Sequence, residues 1–473
     1  MAAGILASRV AGLLRETVIA FFMGVSPAAD AFKAALRIPN FMQNLLGEGV
    51  LSASFIPVYA KLRADGDDET AGRLAGAIAG LLLAVTGVLS LLGIVLAEPI
   101  TRVLVTGFTG TARFDLTVDL VRIMFPGIGF LVLSAWCLGV LNSHRKFFLS
   151  YVAPVLWNAA QIVALVTVGV AGLSQRSMAV ALAWGVLVGG FLQMAVQFPS
   201  VLALLGRLRL SLSTRSRPVQ TVIGRFGPVV MARGVVQVMG LVDLWLAAFL
   251  ATGAISSLTF AQVLYLLPIS LFGMSVAAAE LPDLSTLRVD DAESRRDFRR
   301  RLEAGMSRIL FYVAPTATAF IVAGDVIVAL LFGRGEITAA DERLIWLTVA
   351  TFSLGLPAMT ASRLLQNALY GLGDARTPAR LAAIRVFVAA AIGLALMFPL
   401  DRLTIQNGQI TGWGDVFALG PLGDAARENP AGIPTSASSG WPSAPQSRPG
   451  SSTGFSARHW PGGSAGRDSV AGG

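Results

Sequence analysis

The sequence predicts an all-α, polytopic membrane protein, and three observations carry that prediction. Of 473 residues, 54% are hydrophobic and only 14% are charged, against about 25% charged in ordinary soluble domains. The apolar residues fall in runs of about 20, enough to cross a bilayer core as helix. The basic residues collect in alternate loops between those runs.

Taken in order, the runs give eleven spans. The first, 4–23, carries Arg9, Arg15 and Glu16, and a turn holding Asp30 follows it. The second, 38–60, contains Pro39, Gln43, Asn44 and the tripeptide Gly47-Glu48-Gly49, and Lys33 and Arg37 precede it. The third and fourth, 74–97 and 116–141, are apolar, and Cys137 in the fourth reads as a small packing residue. The fifth, 148–173, carries Asn158 and Gln161; the sixth is 178–205. The seventh, 221–250, holds Arg233, Gln237 and Asp243, and the eighth, 258–284, holds Gln262 and Glu280. Spans 305–332, 344–369 and 381–400 complete the set.

Loop charge sets the orientation. The loops 61–73, 142–149, 206–225, 286–308 and 371–380 hold 19 Lys and Arg, and the opposite loops hold 5. The positive-inside rule then puts the N-terminus in the cytoplasm. The net charge of +9 lies in these loops, so it reads as topology and headgroup contact, not nucleic-acid binding. One cysteine excludes an internal disulfide framework, and two histidines disfavour a His-rich metal site. None of the three lysines sits in a Walker A motif, no HExxH occurs, and neither histidine lies in a span, so no enzyme and no cofactor is predicted.

The two halves echo each other. Pro57 and Pro282, near the ends of spans two and eight, are 225 residues apart; Pro39 and Pro268 are 229 apart. Six helices separate the copies, which gives two bundles of the same orientation around a central site, a transporter plan. The expected lobes are 1–205 and 206–400. In 431–473, Gly, Pro, Ser and Ala make up 30 of 43 residues, so 401–473 reads as a disordered or frameshifted tail.

Ionisable groups inside spans cost about 2.5–3.5 kcal/mol each on insertion scales unless a cavity or partner receives them. Here they gather in spans one, two, seven and eight, equivalent helices of the two halves. Arg9 and Glu16 are seven apart and share a face, whereas Arg15 points elsewhere. Arg233 and Gln237 share a face, and Asp243 is rotated away from it. Glycines around Glu48 loosen the helix there. Together these groups would line one polar cavity, and arginines in such a cleft favour phosphate or carboxylate.

The N-terminal motifs narrow this. Ser8-Arg9-Val10-Ala11-Gly12-Leu13-Leu14-Arg15-Glu16 is followed by Asp30-Ala31-Phe32, Pro39-Asn40, Glu48-Gly49 and Phe55-Ile56-Pro57. Further along come Asn142 before His144-Arg145-Lys146, Leu182-Ala183-Trp184, Gly371-Leu372-Gly373-Asp374 and Thr377-Pro378. Over about residues 4–400 the chain resembles the MurJ (MviN) lipid II flippases of the MOP exporter superfamily. The resemblance implies a fourteen-helix protein of the bacterial inner membrane with a V-shaped, arginine-lined cavity. It would carry lipid II, a lipid-linked pyrophosphate, to the periplasmic leaflet for cell wall synthesis by alternating access.

On that resemblance Arg9, Arg15, Asp30 and Glu48 match the family's important charges, the arginines as phosphate or sugar-acid contacts and the carboxylates as their holders or gate pairs. The family's second-span arginine aligns with Gln43, beside Asn44, and its eighth-span arginine with Val263 after Gln262. Arg233 is the expected replacement charge. Glu16, Gln43, Asn44, Asp243, Gln262 and Glu280 form a secondary set. Asp243 resembles a family sodium-site position, which leaves coupling to sodium, protons or membrane potential open. About eleven spans instead of fourteen leave the second lobe truncated, which puts the activity of the chain as written in question. Alternatives are a flippase for another lipid-linked oligosaccharide, a multidrug exporter, or a non-transporting scaffold for cell-wall enzymes.

Overall fold

The computed structural model describes residues 2–206, 208–269, 292–372, 374, 376–401, 404–406 and 409–411. In the first lobe, α1 (Ala2–Met23) leads through a short turn into α2 (Pro27–Leu46). The Ser26 hydroxyl accepts from Ala29 N at 3.2 Å and Pro27 occupies the first helical position, so the helix starts here. Asp30 therefore lies in the first turn of α2, not in the preceding turn as the sequence suggested. At Gly47 the second span breaks, and α3 (Glu48–Ala64) continues it. Next come α4 (Asp68–Val95), α5 (Ala97–Leu104), a single 3-10 turn (Thr106–Phe108), α6 (Ala112–Met124) and α7 (Gly127–Ser143). The fourth span is thus two helices bent by 42° at Phe125-Pro126, where proline removes a backbone donor. Helices α8 (Phe147–Val170) and α9 (Gln175–Leu205) close the lobe.

The second lobe comprises α10 (Arg217–Ala247), α11 (Ala254–Pro268), α12 (Ala292–Val322), α13 (Gly324–Phe332), α14 (Ala339–Gly371) and α15 (Arg376–Asp401). The ninth span is divided between α12 and α13 at Ala323, and the basic loop before it is already helix from Ala292. A small antiparallel pair, β1 (Thr404–Gln406) and β2 (Gln409–Thr411), follows α15. Glu280, on the eighth span, lies outside the described residues.

Among the described residues, seven helical segments are long and apolar enough to cross a membrane, eight if α6 and α7 count as one bent span. Helix α1, with three charged residues, and α10 and α11, which contribute the shorter apolar stretches Gln237–Ala247 and Ala254–Pro268, fall outside that set. These are three of the four polar-bearing spans that the sequence marks out; the other, span two, passes as Pro27–Ala64. Exposed Leu91, Val95, Val170 and Phe387 would face lipid chains.

Within the first lobe α8 packs on α9 and α1, α7 on α9, and α2 on α6. In the second, α14 packs on α12 and α11, and α10 on α15. One apolar core fills the first lobe and reaches Phe260, Phe332 and Ile345; a smaller one surrounds Ile309, Val313, Leu356 and Leu364. The lobes meet where α10 lies against α2 and α3 and where α11 lies against α2. The connecting segment does not hang free. Ser211 N donates to Gly76 O at 3.4 Å, and a Cβ on Gly76 or Gly80 would strike the Arg209 or Ser211 carbonyl.

Candidate functional site

The charged helices bring their polar groups to the seam between the lobes, at successive levels along α2. Nearest the Gly47 break is a cavity of about 400 Å³ lined by Gln43, Asn44, Glu48, Gly49, Ser52 and Arg233. Glu48 and Arg233 are exposed to it and face each other electrostatically. Asn44 donates to Gln237 across the seam at 3.2 Å. Gly49 is required for this arrangement: a Cβ there would fall on the Arg233 guanidinium. The break at Gly47 makes the opening by ending α2 and restarting the helix with Glu48 in its first turn, where a carboxylate suits the helix dipole.

One level along, Arg37 donates to Gln262 of α11 at 2.5 Å and lies within electrostatic reach of Asp243 on α10. Beyond it is a buried trio. The Lys33 ammonium and the Arg15 guanidinium, the latter at 2.6 Å, both donate to Glu16. Lys33 also sits 5.0 Å from the centre of the Phe260 ring on the other lobe, and Arg15 lies 5.0 Å from the Trp157 ring of α8. Such a pair needs its partners, because an isolated charge inside the membrane is strongly disfavoured.

At the far end of α2, Asp30 is 1% exposed and crosses the seam. Its carboxylate accepts from Gly253 N at 2.6 Å, from Ser256 N at 2.9 Å and from Ser256 Oγ at 2.7 Å. Arg113 of α6 stands 3.6 Å away. Asp30 thus caps the N-terminus of α11 from the opposite lobe, where free amide donors and the positive end of the helix favour an anion. Gly253 has φ 94°, a conformation glycine adopts without strain. A second tie closes this end: Glu336 N donates to Phe21 O at 3.0 Å.

The structure therefore gathers Gln43, Asn44, Glu48 and Arg233 at one cavity, and places Arg15, Glu16, Asp30, Asp243 and Gln262 at other levels of the seam. Arg9, though seven residues from Glu16, is exposed and outside the cavity lining, whereas Glu16 is buried by its pairing with Lys33. Asn158 and Gln161 turn their amides to the carbonyls of Pro154 and Trp157 on their own helix. Lys33 and Arg37 carry the same signal as the predicted residues, a charge in an apolar setting. Ser256 and Gly253 carry none, since their role is set by Asp30 more than 220 residues away. Among the described residues no three His, Cys, Asp or Glu side chains group as a metal site.

The family model described as lipid II flippase MurJ matches residues 19–411. The chain belongs to the MurJ family of lipid II flippases. A probable lipid II flippase MurJ of Rhizobium tropici is 33% identical over 421 residues, covering 88% of this chain and 78% of that protein. The lipid II flippase MurJ of Burkholderia cenocepacia is 33% identical over 401 residues, covering 84% and 76%. Among solved structures, a lipid II flippase MurJ in an inward closed conformation shares the fold with TM-score 0.71 at 24% identity, covering 84% of this chain and 81% of that one. An inward-facing multidrug resistance MATE transporter of the MOP superfamily shares it with TM-score 0.64 at 15% identity, covering 83% and 87%. The MurJ family is one of membrane transporters, not of catalytic enzymes, and the helical fold with its apolar spans accords with that.

Proposed function

We propose that this chain moves lipid II from the cytoplasmic to the outer leaflet of the bacterial inner membrane by alternating access, with its N-terminus in the cytoplasm. Family membership is the observation that carries the reading, and the graded polar seam suits it. In the stated orientation α2 runs inward from Asp30, so the Asp30 cap seals the outer end and the Glu48–Arg233 cavity lies on the inner side of it. A pyrophosphate entering from the cytoplasm would pair with Arg233, a guanidinium matched to phosphate oxygens. Glu48, Asn44 and Ser52 would take sugar hydroxyls or amide groups. Passage outward then requires the Asp30 cap to release α11 while the inner side closes.

No cofactor enters this scheme. Moving an anion outward is expected to respond to a membrane potential or to a sodium or proton gradient. Partnership with cell-wall enzymes through the arginines at the start of α12 belongs to the scaffold alternative.

The test is lipid II movement in proteoliposomes, read as loss of fluorescent lipid II from the accessible leaflet, with each gradient imposed in turn. The reading expects protein-dependent movement that Arg233→Gln slows. A scaffold gives no movement, and an exporter of drugs moves a cationic dye but not the lipid; either result overturns it.

A further inference from the structure

The trio of Lys33, Glu16 and Arg15 holds one positive charge in excess. Lys33 and Glu16 are 3% and 2% exposed, and the single Glu16 carboxylate accepts from both the Lys33 ammonium and the Arg15 guanidinium. Trp157 of α8 covers the Arg15 side and Phe260 of α11 the Lys33 side, each ring centre 5.0 Å from its cation. A ring face offsets part of the charge, but the cost of holding it away from water remains. Nothing packed nearby neutralises it. Arg37, one turn along α2, acts on Lys33 with the same sign. Asp30, one turn before, directs its carboxylate to α11 and to Arg113 of α6. Asp243 of α10 acts on Arg37, and Arg176 of α9 pairs with Asp119. Helix α11 itself contains no charged residue.

The excess can leave from one place. A guanidinium keeps its proton under ordinary conditions, whereas an ammonium can give one up. Lys33 would pass a proton to water and keep the N–H bonding electrons on nitrogen. The neutral amine still donates to Glu16, and a balanced Arg15–Glu16 pair remains. Water reaches Lys33 only past Phe260. Helix α11 seals α2 by three successive contacts: Gly253 and Ser256 on Asp30, Phe260 over Lys33, and Gln262 on Arg37. Phe260 is fully buried and packs on Phe332 at 5.2 Å. Lifting α11 from α2 therefore uncovers Lys33 in the same motion that releases Asp30.

We propose that Lys33, held by Glu16, is a proton-exchange site tied to the outer end of the seam: it takes a proton from water when α11 lifts and returns one as Phe260 closes over it. Protonation and opening then favour each other, so acid favours the open end by reciprocity. Proton exchange stands apart from the transport reading; its use in driving a lipid outward rests on that reading.

The test uses the full chain in lipid nanodiscs with Cys137→Ala and spin labels on Thr109→Cys of the first lobe and Ala340→Cys of the second, both exposed at the outer end. The proton is the probe, and the distance between labels is followed from about pH 5 to about pH 9. The open-to-closed ratio of wild type should rise about tenfold as pH falls, an ordinary coupling between two sites. Lys33→Met, which lacks the excess charge, should stay closed; Lys33→Arg, whose charge cannot leave, should stay open; each should lose the pH response. In an Asp30→Asn background the response should persist. A wild type indifferent to pH overturns the proposal, and so does a response that survives in either Lys33 variant. A response lost in Asp30→Asn overturns it too, by assigning the titration to Asp30. If one Lys33 variant fails to fold, the other still decides. Lipid II movement under an imposed pH gradient is scored separately: a chain that moves no lipid yet shows this variant pattern keeps the proton site and loses the flippase reading.

Discussion

Replacing Asp30 should open the end of the molecule that it closes. The wild-type carboxylate takes three hydrogen bonds from the start of α11 and faces Arg113 at 3.6 Å. Hydrogen bonds to a charged group contribute about 1.5–3 kcal/mol each, but three on one carboxylate are not additive, and water will enter to replace part of them. Asp30→Asn keeps an acceptor oxygen and loses the charge, a change of roughly 1–2 kcal/mol, similar to losing a helix cap. Asp30→Ala removes every acceptor and the charge facing Arg113, roughly 3 kcal/mol. These energies act only on the state with this end closed, so they shift the open population by about tenfold and about a hundredfold. Ser257, 2% exposed on the first turn of α11, is a suitable reporter as Ser257→Cys, with Cys137 replaced by Ala. Reaction with a water-soluble maleimide should accelerate in the order wild type, Asp30→Asn, Asp30→Ala, by those factors. Equal labelling rates in all three, with thermal stability alone reduced, would refute the argument: the cap would then hold the fold and not a gate.

Three further outcomes follow from the geometry. Glu16→Gln should lower thermal stability by about 3–5 kcal/mol, because it leaves both Lys33 and Arg15 without their carboxylate; Lys33→Met should cost less, because Arg15 still pairs with Glu16, and a thermal melt of each variant checks the order. Gly49→Ala should leave stability nearly unchanged, since the flexible guanidinium can move aside, yet slow lipid II movement as Arg233→Ala does, by displacing that guanidinium from the cavity. At the end of α7, burial and then the charge of Arg63 hold His144 below its usual value of 6.5. The unfolded chain therefore takes up the proton first as pH falls. The contribution of His144, which contacts Tyr59 and Arg63, is complete above pH 6.5 and declines below it. Denaturation followed on both sides of that pH should show the decline, and His144→Gln should abolish it.

The membrane helices were legible because hydrophobic runs of that length have few other uses, and the break at Gly47 was legible from its flanking glycines. Residues 43, 48 and 233 could be assigned to a polar seam since each carries polarity into an apolar span. Pairing within the seam was not legible. Asp30 acts through Gly253 and Ser256, and no local pattern marks a serine that receives a cap from another lobe. Spacing placed Arg9 and Glu16 on one face, but burial of Glu16 depends on Lys33 arriving from α2. Helix bends such as that between α6 and α7 were hidden inside a continuous apolar run. Partition of the ninth span at Ala323 was hidden for the same reason, because hydrophobicity does not report where a helix stops and restarts.

The segment between α9 and α10 sets a limit on how far the halves can swing. Eleven residues, 206–216, could reach about 36–40 Å if fully drawn out. Because Arg209 and Ser211 rest on Gly76 and Gly80 of α4, only the last few residues supply slack, about 15–20 Å. The second half is therefore leashed to the flank of α4 and not to the tip of α9. A bulky side chain at position 76 or 80 would lengthen that leash without touching any charged group in the seam.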